Sequence, residues 1–67
     1  MMMVTVNGKP LNIRKDETLL ELLEEQGYRL GVIAVEYNGL ILKKDDYGTT
    51  QLHEGDRLEV VSFVGGG

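Results

Sequence analysis

Gly65, Gly66 and Gly67 put a carboxylate at the end of a run of residues without side chains. Such a tip can thread a slot that any Cβ would block. A carboxylate with a pKa near ~3.5 is ionised at neutral pH, and by itself it is inert toward amines and thiols. A partner that attached a phosphoryl group would make it an acylating species. The chemistry suggested here is therefore activation at Gly67, with Gly65 and Gly66 as the threading segment and residues 64–67 as a flexible tail. Terminal glycines also occur as frayed ends or cloning scars. What the preceding residues build decides between these readings.

Little else in the chain offers chemistry. The 67 residues contain no cysteine, which removes a disulfide framework, a thiolate metal site and a cysteine nucleophile. His53 stands alone among potential zinc ligands, where a site needs three or four, so it reads as a surface loop residue. No nucleophile–base pair or phosphate-cradling motif is present, which disfavours an autonomous enzyme. Eleven acidic residues against seven basic ones give a net charge of −4, which suits basic partner surfaces and disfavours nucleic acid. The apolar runs Met1 to Val4 and Val32 to Val35 are too short to span a membrane or form a secretory core. A cytoplasmic location is the expectation.

The elements that must hold the tail follow from local pattern. Residues 3–6 and 11–14 alternate on either side of Asn7-Gly8 and predict a hairpin, with Pro10, which has no N–H to donate, just before the second strand. Thr18 and Glu21 have the spacing of a capping box, so a helix starts there. Leu19, Leu20, Leu22 and Leu23 share one face of that helix, while Glu21, Glu24 and Glu25 occupy the other. Gly27 supplies the left-handed residue after the helix, with Tyr28 set to reach Leu23. A helix this short needs a sheet beneath it.

Val32 to Val35 predicts a strand internal to the sheet and buried on both faces for part of its length. A second turn, Asn38-Gly39, leads to a brief strand at Leu40-Ile41-Leu42. Lys43-Lys44-Asp45-Asp46 then opens an irregular, solvated segment through Thr50. Leu52 should be an isolated core anchor, and Glu54-Gly55-Asp56 a turn. In the last strand, residues 58–64, Leu58 and Val60 should face the helix and Glu59 water. Continued alternation places Val61 and Phe63 beside Glu59, exposed just before the glycines. With Val64 they form a candidate partner-binding patch. Local twist that buries Phe63 in the core is the alternative.

Together these predict a single α+β domain over residues 1–67, a mixed four- to five-stranded sheet with one main helix across one face and the last strand beside the first. The order of elements and the tail resemble the β-grasp, ubiquitin-like fold. The closer resemblance is to the thiamine-biosynthesis sulfur carrier (ThiS) family. It is carried by Val32 to Asn38-Gly39, by Leu52-His53-Glu54-Gly55-Asp56-Arg57-Leu58-Glu59-Val60-Val61, and by Phe63-Val64-Gly65-Gly66-Gly67. One departure is Leu42-Lys43, where many relatives carry a proline.

That resemblance implies a protein that is not itself an enzyme and binds no cofactor. Its terminal carboxylate would be adenylated by a ThiF-type adenylyltransferase using ATP and magnesium, then converted to a thiocarboxylate with sulfur from a persulfide enzyme. The sulfur would pass to thiazole synthase of the ThiG type. Gly67 would be the modified residue. Two alternatives stay open: the small subunit of molybdopterin synthase, which has the same chemistry, and a ubiquitin-like interaction module whose tail is never activated.

Overall fold

In the computed structural model, which describes residues 2–63, β1 (Met2–Val6) and β2 (Lys9–Ile13) form an antiparallel hairpin. The expected tail, 64–67, lies outside the described residues. Asn7 and Gly8 take φ of 52° and 83°, the mirror-image turn whose twist suits a two-residue hairpin. Pro10 is a correction to the sequence reading, because β2 begins at Lys9 and includes it. The strand is the outermost of the sheet and Pro10 faces Thr5 at a non-hydrogen-bonded position, so its nitrogen points outward and no ladder bond is lost.

The predicted capping box is present at the start of α1 (Leu19–Glu25): the Glu21 N–H donates to Thr18 Oγ1 at 3.1 Å, and the Thr18 N–H to Glu21 Oε1 at 3.0 Å. The helix ends as its glycine requires. Gly27 has φ 82°, the Tyr28 N–H donates to the Leu23 carbonyl at 3.0 Å, and the Gly27 N–H donates to that of Glu24 at 3.1 Å. Leu19, Leu22 and Leu23 are buried against the sheet and Leu20 is half-buried.

After a single 3-10 turn at Leu30–Val32, β3 (Ile33–Tyr37) and β4 (Leu40–Leu42) form a second hairpin around Asn38-Gly39. β3 is internal, but it is not buried on both faces. Ile33 and Val35 lie in the core while Ala34 is half-buried and Glu36 exposed. The apolar run looked continuous because Val32 belongs to the preceding turn and Ala34 is small enough for a partly open face. A further correction concerns the segment after β4. Lys44–Thr49 is a 3-10 helix rather than irregular chain, and Tyr47 is buried within it while Lys44, Asp45 and Asp46 stay exposed.

The chain then passes the start of α1, where the Leu19 N–H donates to the Thr50 carbonyl and the Leu52 N–H to that of Glu17, both at 2.8 Å. These bonds satisfy one of the otherwise orphaned helix N-terminal donors and seat Leu52 in the core. β5 (Arg57–Ser62) runs up the centre of a five-stranded sheet of order β2-β1-β5-β3-β4, parallel to β1 and antiparallel to β3. The helix covers one face; the other is open.

Candidate functional site at the end of the central strand

The root of the tail is the end of β5. Leu58 and Val60 turn into the core, while Val61 and Phe63 are 57% and 59% exposed. The alternation read from the sequence thus persists to the end of the strand, and Phe63 is not folded inward. Glu59 and Glu36 face each other across β5 and β3 on the same uncovered side, both exposed. Ile41, opposite Glu36 on β4, adds an apolar group at 75% exposure. The structure therefore brings Val61 and Phe63 together on one open, acid-flanked surface. Val64, Gly65, Gly66 and Gly67 lie outside the described residues.

What holds β5 in place was not read from the sequence. At its entry the Asp56 carboxylate is buried and accepts from Tyr37 Oη at 2.5 Å, Asn38 Nδ2 at 3.1 Å and the His53 N–H at 2.7 Å. Burial alone would push this carboxyl up, but the hydrogen bonds from Tyr37, Asn38 and His53 together hold it below the ordinary carboxylate value. The same environment works the other way on Tyr37. Burial, then the hydrogen bond and negative charge of Asp56, push its hydroxyl up to about 12. Gly55, with φ 85°, makes the tight turn into this arrangement.

Both hairpin asparagines grip β5 from its flanks. Asn38 donates its N–H to the Arg57 carbonyl at 2.8 Å and accepts from the Arg57 N–H at Oδ1, also at 2.8 Å. Asn7 does the same from the β1 side with its side chain alone, donating from Nδ2 to the Val60 carbonyl and accepting the Val60 N–H at Oδ1. A primary amide has one donor edge and one acceptor edge, so it stands in for a residue of a neighbouring strand where β1 has already turned away. Glu17 is another buried carboxylate that escaped sequence reading; it accepts from the Arg14 N–H at 2.8 Å ahead of α1. One signal was available for Asp56: its three-residue spacing from His53 is that of a side chain returning to its own turn.

The site is a surface. Two shallow depressions elsewhere, of about 280 and 330 Å³, are lined by Asn38, Gly39, Gly55 and Arg57 and by residues of the first hairpin, Val6, Asn7 and Lys9 to Leu11, with Gln26 and Tyr28, and neither reaches Val61 or Phe63. Among the described residues no three His, Cys, Asp or Glu side chains converge as metal ligands. No helix among them is long and apolar enough to cross a membrane.

A central last strand between two hairpins, with one helix laid across the sheet, defines a β-grasp protein that presents the end of that strand. The chain belongs to the ThiS family, whose model matches residues 4–67. It is 36% identical over 66 residues to the sulfur carrier protein ThiS of Bacillus subtilis, covering 97% of this chain and 100% of that protein. A crystal structure of the thiamine biosynthesis protein ThiS from Geobacter metallireducens superposes with a TM-score of 0.83 at 33% identity, over 98% of this chain and 100% of that one. Similarity extends to the thiazole synthase of Magnetococcus marinus, 39% identical over 66 residues. The chain spans 98% of its own length there but only 20% of that protein.

Proposed function

We propose that this protein carries sulfur for the thiazole moiety of thiamine, as a co-substrate of other enzymes and not as a catalyst. The observation that carries this reading is the family match, which runs through residue 67. In this scheme a ThiF-type adenylyltransferase uses ATP and magnesium to join the Gly67 carboxylate to AMP with loss of pyrophosphate. The resulting mixed anhydride has a good leaving group. The terminal sulfur of a donor enzyme's cysteine persulfide attacks the carbonyl carbon and AMP departs, leaving an acyl disulfide. A thiol then attacks the donor-side sulfur, so that the S–S bond breaks, a disulfide forms on the donor and Gly67 keeps C(=O)S⁻.

The thiocarboxylate then gives its sulfur to thiazole synthase. Support for that partner comes from relatives in which a segment similar to this chain occurs within a thiazole synthase. Gly65 and Gly66 thread the partner's channel, and Val61, Phe63 and Val64 form the contact surface at its mouth. All of this takes place in the cytoplasm, with the 67 residues acting as one domain. Incubation with a ThiF-type adenylyltransferase, ATP, magnesium and a persulfide donor tests it by mass spectrometry. A gain of one oxygen-for-sulfur exchange located on Gly67 is expected, and an unreactive tail would instead indicate a ubiquitin-like interaction module.

A further inference from the structure

The two flanks of β5 are not filled to the same height. On the β3 side, bonding continues past the strand's end, where the Phe63 N–H donates to the Val32 carbonyl at 2.6 Å. Antiparallel pairing alternates hydrogen-bonded with non-hydrogen-bonded positions. Phe63–Val32 and Arg57–Asn38 are hydrogen-bonded pairs, which makes Ser62–Ile33, Val60–Val35 and Leu58–Tyr37 the non-bonded ones. The backbone groups of Leu58, Val60 and Ser62 therefore point toward β1. The Leu58 carbonyl meets the Asn7 N–H at 2.8 Å, and the Val60 N–H and carbonyl meet the Asn7 amide. Ser62, roughly 7 Å farther along the strand, has no backbone partner on that side among the described residues.

We infer that the N–H and carbonyl of Ser62 are an open rung on which an extended segment of the activating partner adds itself as a strand beside β5. Asn7 closes the rung below, so the added strand is registered by the fold: it starts above the hairpin tip and runs alongside the root of the tail. The chemistry of the occupant follows from its surroundings. Val61 and Phe63 flank the rung, with Val61 on the uncovered face, which calls for apolar side chains at the facing positions. Glu59 and Glu36 lie below them on that face. Like charges directly opposite one another across a sheet repel, and a lysine or arginine of the partner, reaching diagonally, relieves them. Main-chain bonds supply affinity while alternate side chains supply selectivity, as in other strand additions. The inference rests on the proposed carrier function and names how that partner is gripped.

Amide hydrogen exchange of Ser62, followed by NMR in the free protein and with a ThiF-type adenylyltransferase, is the test. Fast exchange when free and at least about tenfold slowing in the complex, with Val61 and Phe63 protected in both, is expected. Ser62→Pro removes the outward N–H, together with the exposed hydroxyl, without taking a bond from the ladder to β3, and should weaken the complex about tenfold, while Val60 keeps its protection in the free variant. A complex in which Ser62 exchanges as fast as in the free protein overturns strand addition but leaves the carrier function standing. Absence of any complex or any thiocarboxylate overturns both. Slowing that depends on the concentration of this chain alone would assign the rung to a second copy and also overturn the inference.

Discussion

The side-chain amide of Asn7 bonds both backbone groups of Val60, at 3.2 and 2.7 Å, across 53 residues of sequence. It ties the tip of the first hairpin to the strand that leads into the tail. Asn7→Gly keeps the positive φ of the turn but leaves the Val60 N–H and carbonyl without partners. A loss of about 1–3 kcal/mol is expected in urea or guanidinium unfolding. Asn7→Asp, which retains an acceptor and loses the donor, should fall between the variant and the parent.

Asp56 and Tyr37 set opposite edges to the pH range of stability. The Asp56 carboxyl is held low in the folded chain, so its contribution is present above the unfolded value of ~3.9 and lost as pH falls through the lower folded value. Tyr37 is raised to about 12, so its contribution is complete below the unfolded value near ~10 and is lost as pH climbs toward the folded one. Melting temperatures measured across pH should drop at both ends. Asp56→Asn should flatten the acid limb and Tyr37→Phe the alkaline limb.

Val61 is exposed and sits beside Phe63 at the root of the tail. Val61→Asp, which puts an acid in a central strand beside Glu59, should cost about 1 kcal/mol of unfolding stability and leave the fold in place. A charge placed in the proposed contact surface should nonetheless reduce thiocarboxylate formation at least about tenfold, because desolvating an unpaired carboxylate in an interface costs more than a kcal/mol. A rate assay alongside a melting curve separates the two effects.

Gly66→Val tests threading independently of the surface. On the proposed threading, a branched side chain at this position should abolish adenylation, while the amide spectrum of the folded body stays unchanged. Normal adenylation of this variant would contradict the threading role given to Gly65 and Gly66.

Lys43 has φ −76° and follows β4 at the sheet's edge, with Leu42 extended before it. By the register of the hairpin, its N–H lies at a non-bonded position and points away from β3. Lys43→Pro therefore fits without losing a ladder bond. It should stabilise the fold by about 0.4–1 kcal/mol through the unfolded chain, visible as a higher denaturant midpoint.

Most of this architecture was legible because it is written in neighbours. Thr18 with Glu21, Gly27 with Tyr28, and the two Asn-Gly pairs each state their geometry within a few residues, and alternation from Leu58 onward located the exposed pair Val61 and Phe63. Less legible were side chains whose roles depend on distant chain. Asn7 reads as a turn residue, and nothing local says that its amide serves Val60. Asp56 reads only as a turn residue, and nothing near Glu17 in sequence says that its carboxylate is buried, until the donors around them are in place. Tyr47, just past the charge run of residues 43–46, falls in a segment expected to be irregular and solvated, yet the 3-10 helix turns its side chain inward while its neighbours remain wet. Pro10 argued against a strand only so long as the strand's edge position was unknown.

Because β5 lies between β1 and β3, a chain drawn into a partner beyond Phe63 pulls the strand along its own axis. The backbone bonds on either flank lie across that axis and share the load in shear, whereas a strand at the sheet's border would be held from one side only. For the proposed carrier, that central position means a folded body anchored on two sides against any pull on the residues that follow it.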